Sequence, residues 1–381
     1  MKKCSQVIEI MNPSGIREFF NYASERPDVV SLGVGEPDFV TPKPIIEAAK
    51  KSLDEGKTFY TSNQGLPILR EKISKYLKDR FDVNYSSDEI ILTAGSSQGI
   101  LAALLTLINP GDEIIVTEPT YICYVPDIEM CGGKAVVIPL SADNGYKLTP
   151  DILKQYITDK TKAVFLSYPN NPTGAIMTKE GLEAIAPLIL ENDLYVISDE
   201  IYAELTYGSK HCSIASLDGF KERTILISGF SKAFAMTGWR LGYVCAEKHI
   251  LDQILKIQQY IMLSAPTIAQ YGAIAALDEC MPYVEDMVNE YNKRREYLLK
   301  SFKELGIDCF ESKGAFYLFP CIRKFGMSSR ELCLTLLKEH NVLVVPGNAF
   351  GDSGEGYIRI SYAASFERLE AFISSLNALI L

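Results

Sequence analysis

Residues 224–245 read TILISGFSKAFAMTGWRLGYVC, and this stretch decides the fold. It opens on a short apolar run, Thr224–Ile227, and closes on another, Leu241–Cys245. Runs of this length, rich in β-branched and aromatic residues, read as strands. Between them lies a loop of small and apolar residues holding one lysine, Lys232, with no acid within several positions. Solvated lysines have polar company; burial disfavours an ammonium and leaves a reactive amine. Arg240, eight positions on, is a permanent cation suited to bidentate phosphate binding.

Working outward, similar runs occur at Ile90–Thr93, Glu113–Thr117, Ala135–Ile138, Ala163–Ser167 and Tyr195–Ser198. Helical patterns such as Gly99–Ile108 and Lys179–Glu191 separate them. This alternation predicts an α/β fold with a mostly parallel central sheet flanked by helices. The character changes from about Pro282. A long charged helix, Val284–Leu305, then precedes two strand-like runs, Ala315–Phe319 and Tyr357–Ser361. That tail reads as a smaller α+β domain. The expected division is an N-terminal arm and part of the small domain over 1–44, a large domain over 45–283, and the rest of the small domain over 284–381. The first 40 or so residues are expected to pack on the smaller domain.

The 381 residues carry a formal charge of −10, which argues against a polyanion-binding surface. Nine cysteines without a Cys-x-x-Cys pair read as reduced thiols, so the expected compartment is the cytoplasm. No apolar run approaches the roughly 20 residues that span a bilayer, and the start, MKKCSQVIEIMNPSG, lacks the apolar core of a signal peptide. His211, His249 and His340 lie far apart, without metal-ligand spacing. Neither a metal, nor nucleic acid, nor a membrane is an expected partner.

In an open parallel sheet, ligands bind beyond the carboxyl ends of the strands. After Ile90–Thr93 come Gly95, Ser96 and Ser97 at the start of a helix, a ready anion site and equally an ordinary strand-to-helix turn. Tyr121 follows the next strand and offers a ring to stack on a planar heterocycle, although a core tyrosine reads the same way. Asn171 sits in YPNNPTG, where two prolines and a glycine hold one geometry. Asp199 ends an apolar strand, where a carboxylate is expensive unless paired or capping a helix. A pyridinium N–H is a suitable partner, with Tyr202 three positions on to reach a neighbouring phenolic oxygen. Lys232 and Arg240 complete the set. Together these residues match the needs of pyridoxal phosphate.

At this point the chain resembles class I aminotransferases of fold type I, in the gamma subgroup that includes bacterial aspartate aminotransferases. The likeness runs over nearly the whole length, through SLGVGEPDF (Ser31–Phe39), YPNNPTG (Tyr168–Gly174), SDEIYAELTY (Ser198–Tyr207), SGFSKAFAMTGWRLGY (Ser228–Tyr243), GAFY (Gly314–Tyr317), VVPG (Val344–Gly347) and GYIRISYA (Gly356–Ala363). The resemblance implies pyridoxal 5′-phosphate held as a Schiff base on Lys232, with Asp199 on its ring nitrogen. It puts Tyr202 and Asn171 at the ring oxygen, Tyr121 on the ring face, and Gly95, Ser96, Ser97 and Arg240 around the phosphate. Ser231 joins them, although the family often places that hydroxyl at the position of Gly229. Gly35 lies beside the substrate and Arg359 grips its α-carboxylate. The strand pattern alone leaves Arg359 exposed. Tyr60 reaches the phosphate of a neighbouring subunit, which implies a homodimer.

The implied activity is ping-pong transamination between an L-amino acid, aspartate first, and a 2-oxo acid such as 2-oxoglutarate. A carbon–sulfur β-lyase on the same fold is the nearest rival. A transcription regulator would need an added DNA-binding domain of about 70 residues, and the strand and loop motifs begin too early for one. Side-chain specificity is expected from residues such as Pro13–Arg17, closing over the site.

Overall fold

The computed structural model describes residues 3–11, 15–16 and 28–380. Seven strands form the central sheet: β2 (Ile90–Thr93), β3 (Glu113–Glu118), β4 (Lys134–Pro139), β5 (Thr161–Ser167), β6 (Tyr195–Asp199), β7 (Thr224–Gly229) and β8 (Gly242–Cys245). Their order is β2-β8-β7-β6-β5-β3-β4, with β8 alone running against the rest. The expected mostly parallel sheet is present.

Alternate residues of these strands feed opposite faces, as the pleat requires. Ile225 and Ile227 pack with Ile100, Leu104 and Ile254 from the helices Ser96–Leu107 and Lys248–Ile261. Leu226 points the other way, toward Leu69, Ile73 and Ala273 of Pro67–Phe81 and Thr267–Glu279. Each such aliphatic side chain contributes about 1.5–3 kcal/mol when fully buried. Covering both faces in this way explains why the central strands read as continuous apolar runs.

A second core gathers around Met281–Glu304, Ser329–Glu339 and Phe366–Ile380. Its sheets are small. β1 (Val30–Ser31) pairs in parallel with β10 (Val342–Leu343), while β11 (Val345–Pro346), β12 (Ile358–Ser361) and β9 (Tyr317–Leu318) form an antiparallel trio with β12 in the middle. The expected strand Ala315–Phe319 shrinks to two residues, since Ala315 adopts φ 56° and turns the chain just before it. The helix expected from Gly99 begins at Ser96, which puts both serines in its first turn. The long helix begins at Met281 with Pro282 in its first turn, where the missing N–H costs nothing. No described helix is long and apolar enough to cross a membrane.

Candidate active site

The reversed strand β8 builds one end of the site. Because it is antiparallel to β2 and β7, its first residue, Gly242, lies opposite Thr93 and Gly229, the last residues of those strands. Arg240, just before β8, is therefore brought to the edge where β2, β3, β5, β6 and β7 end. Its guanidinium crosses the N-terminus of Ser96–Leu107 so closely that a Cβ on Gly95 would sit 2.5 Å from Nη2, and Gly95 has φ +78° besides. Glycine is needed there. At Gly229 a Cβ would lie 2.8 Å from the Gly242 Cα. Strand packing thus bars a side-chain hydroxyl at that position, and the hydroxyl-bearing side chains facing the cavity at this end include Ser96, Ser97 and Ser231.

The cavity at this edge has a volume of about 550 Å³, within the usual range for a cofactor or ligand pocket. All the expected site residues line it except Gly95, which lies under Arg240, and Tyr60, which is 80% exposed on the surface. Arg17 falls outside the described residues, whereas its neighbour Ile16 is buried in the cavity wall.

Lys232, Arg240 and Arg359 all face this space, and none of them has a carboxylate within ion-pair distance among the described residues. Lys232 Nζ donates to the Gly35 carbonyl at 2.5 Å. Burial, reinforced by the Arg359 charge, lowers its ammonium to about 8, so about a tenth is free amine at pH 7. Arg359 is 3% exposed, against the strand-pattern reading, because β12 is the middle strand of its sheet. It donates to Asn171 Oδ1 at 3.1 Å and to the Gly33 carbonyl, and its Nε has no partner among the described residues. Tyr317 and Phe350 flank the guanidinium, with ring centroids at 4.6 and 4.8 Å.

Asp199 is 4% exposed, and burial raises its carboxyl to about 6. Its Oδ1 accepts the Ile201 N–H at 3.1 Å, closing a turn; no helix follows for it to cap. Tyr202 shares a 2.8 Å hydrogen bond with Tyr317, and burial raises its phenol well above the ordinary range. Two neighbours of these groups had no assigned role in the sequence. Tyr317 was visible in GAFY without a partner to give it one. Tyr124 follows Tyr121 by three positions, a spacing that puts both on one side of a helical turn, and its hydroxyl reaches Asp199 at 2.7 Å.

This donor set fits pyridoxal phosphate. Three cations lack carboxylate partners among the described residues, as an anion-binding site requires, and the helix N-terminus beside Arg240 adds its backbone N–H groups. A buried carboxylate stands apart from them, beside the aromatic wall of Tyr121 and Tyr124. The orphaned Arg359 Nε leaves one donor for an incoming carboxylate.

A family model described as aminotransferase class I and II matches residues 27–376. The chain is 45% identical over 370 residues to an aspartate aminotransferase of Pyrococcus abyssi, covering 96% of this chain and 95% of that one. It is 43% identical over 370 residues to aromatic-amino-acid aminotransferase 2 of Thermococcus litoralis, with the same two coverages. Its fold matches the aspartate aminotransferase from Thermus thermophilus with maleate at a TM-score of 0.95, with 34% identity over 100% of both chains.

Proposed function

The chain belongs to the class I and II aminotransferases, which makes it a pyridoxal-phosphate-dependent transaminase, and from that premise we propose the parts its own residues play. When bound, pyridoxal phosphate supplies an aldehyde that takes up an amino group and a ring that accepts the electron pair released at the substrate Cα. Ser96, Ser97, Ser231 and Arg240 would hold the phosphate at the helix N-terminus beside Gly95. Asp199 would face the ring nitrogen and keep its proton in place; Tyr202 and Asn171 would hold the ring oxygen, and Tyr121 would cover the ring face. Arg359 binds the substrate α-carboxylate beside Gly35. Lys232 would carry the cofactor between turnovers; freed by the substrate amine, its Nζ would take the proton from the substrate Cα and deliver it to the cofactor's former aldehyde carbon. The observation that carries this reading is the convergence of Lys232, Arg240 and Arg359, each without a carboxylate partner, in one cavity with Asp199.

Aspartate with 2-oxoglutarate is the proposed pair, by likeness. A second reading, an aromatic donor, is favoured by the apolar wall that Ile16 and Ile122 add beside Arg359 and Phe350. The proposed assembly is a homodimer, supported by the exposure of Val40, Phe59, Tyr60 and Tyr260, apolar or aromatic side chains that a monomer would leave in water. Tyr60 would then serve the partner's phosphate site.

The test is a donor screen on the cofactor-loaded protein, with 2-oxoglutarate and pyruvate as acceptors and glutamate or alanine as the product read. Aspartate or aromatic donors are expected to lead. Pyruvate released from cystathionine without an acceptor, and no transfer from any donor, would replace the transaminase reading with the lyase one.

A further inference from the structure

Asp199 ends an apolar strand, where a carboxylate is costly unless something favours its charge. The group that does so comes from another element. Tyr124 opens the helix Tyr124–Met130 and donates its hydroxyl to Asp199 Oδ2 at 2.7 Å, while sharing a 2.9 Å bond with Ser167 Oγ. The tyrosine is 2% exposed. Its ring stacks on Phe165 with centroids 4.1 Å apart and meets Tyr121 edge-on at 5.5 Å. The hydroxyl therefore has one place to be. The other titratable groups facing Asp199 are Lys232 after β7, the adjacent Glu200 and Tyr121 after β3. Lys232 and the Tyr124 bond favour the carboxylate, whereas Glu200 opposes it.

We propose that Tyr124 is a positioning residue for transamination, its hydroxyl, backed by Ser167, keeping Asp199 ionised and aimed at the cofactor ring nitrogen. This rests on the reading of Asp199 given above. Each Asp199 oxygen accepts one protein donor, from Tyr124 and from Ile201, and a carboxylate oxygen can accept two. The carboxylate is thus oriented without being saturated. Without the Tyr124 hydroxyl, a neutral Asp199 becomes easier to form and the ring holds its proton less firmly. With less positive charge on the ring, groups titrating beside it keep their own protons to higher pH.

The experiment compares full-length wild type, Tyr124→Phe and Ser167→Ala, each loaded with pyridoxal 5′-phosphate. The readouts are the pH midpoint of the cofactor's visible absorbance and the separate values of kcat and KM. Tyr124→Phe is expected to move the midpoint upward by about half a pH unit or more and to lower kcat about tenfold, the weight of one charge-assisted hydrogen bond. KM for the donor should change far less. Ser167→Ala should move the midpoint the same way by a smaller amount. A Tyr124→Phe protein with the wild-type midpoint and kcat overturns the proposal. If that variant fails to fold, an unmoved midpoint in Ser167→Ala overturns it instead. A wild-type protein whose absorbance borohydride does not fix to Lys232 defeats the underlying reading of the site, a separate result from equal midpoints.

Discussion

Residues Asp199–Glu204 run between two cavities that treat charge in opposite ways. On one side is the cavity of about 550 Å³ containing Lys232, Arg240 and Arg359. On the other is one of about 410 Å³, lined by Arg80, Glu204 and His211. In the second, the buried acids are matched. Glu204 accepts from Arg80 at 3.0 and 2.7 Å and from the Tyr76 hydroxyl at 2.7 Å. Glu200, behind it, accepts from Ser198, Ser213 and His211 at 2.7–2.8 Å. In the first, the cations lack carboxylates and Asp199 holds its charge against the cost of burial. Both cavities are charged, so charge alone does not mark a functional site; the convergence of three cations without a carboxylate among the described residues does.

The sharpest way to break this contrast is Lys232→Ala, which should lower kcat by about 10⁴-fold or more, since it removes the proposed nucleophile and proton carrier. Normal turnover without added amine would defeat the assignment. Next is Arg359→Ala. It should raise KM for amino acids about 100-fold, the loss of a buried charge-assisted clamp, and an unchanged substrate affinity in direct binding would remove Arg359 from the site.

The third concerns stability. In the cofactor-free protein the folded Asp199 carboxyl titrates at about 6, above its ordinary 3.8, so the native state binds the proton more tightly than the unfolded chain. Its contribution is favourable below the ordinary value and is lost as pH rises through about 6. Asp199→Asn should therefore stabilise the cofactor-free chain by up to about 3 kcal/mol at pH 7, the advantage shrinking toward pH 4. Equal melting temperatures across that range would show that burial imposes no such cost. The smallest effect is expected on the matched side. Arg80→Met should cost about 1 kcal/mol of stability and leave kcat/KM within about twofold; a tenfold loss of activity would erase the distinction between the cavities.

Much of the fold was legible because burial on both faces leaves continuous apolar runs. All seven central strands lie within one or two residues of the sequence reading, and Lys179–Glu191 matches at both ends. The short strands β1, β10 and β11 were not read, because two residues carry no periodicity. Lys232, Asp199 and Asn171 were legible through their loops. Arg359 was not legible from its strand: an arginine between isoleucines reads as the outward face until the neighbouring strands are known. Tyr124 and Tyr317 look like core aromatics in sequence, and their hydroxyls acquire meaning only opposite Asp199 and Tyr202.

By itself, then, the chain's order of apolar runs, turns and reactive residues determined an α/β sheet, a lysine in apolar company and a pair of serines at the start of a helix. Those are local properties, set within a dozen residues of each group. Which groups face one another was decided only in three dimensions. A reversed strand carries Arg240 onto Gly95, a distant sheet delivers Arg359 to Asn171, and a helix from another loop places a hydroxyl on Asp199. Hydrogen bonds and desolvation act over a few ångströms, and residues up to 326 positions apart reach that range only when both cores pack.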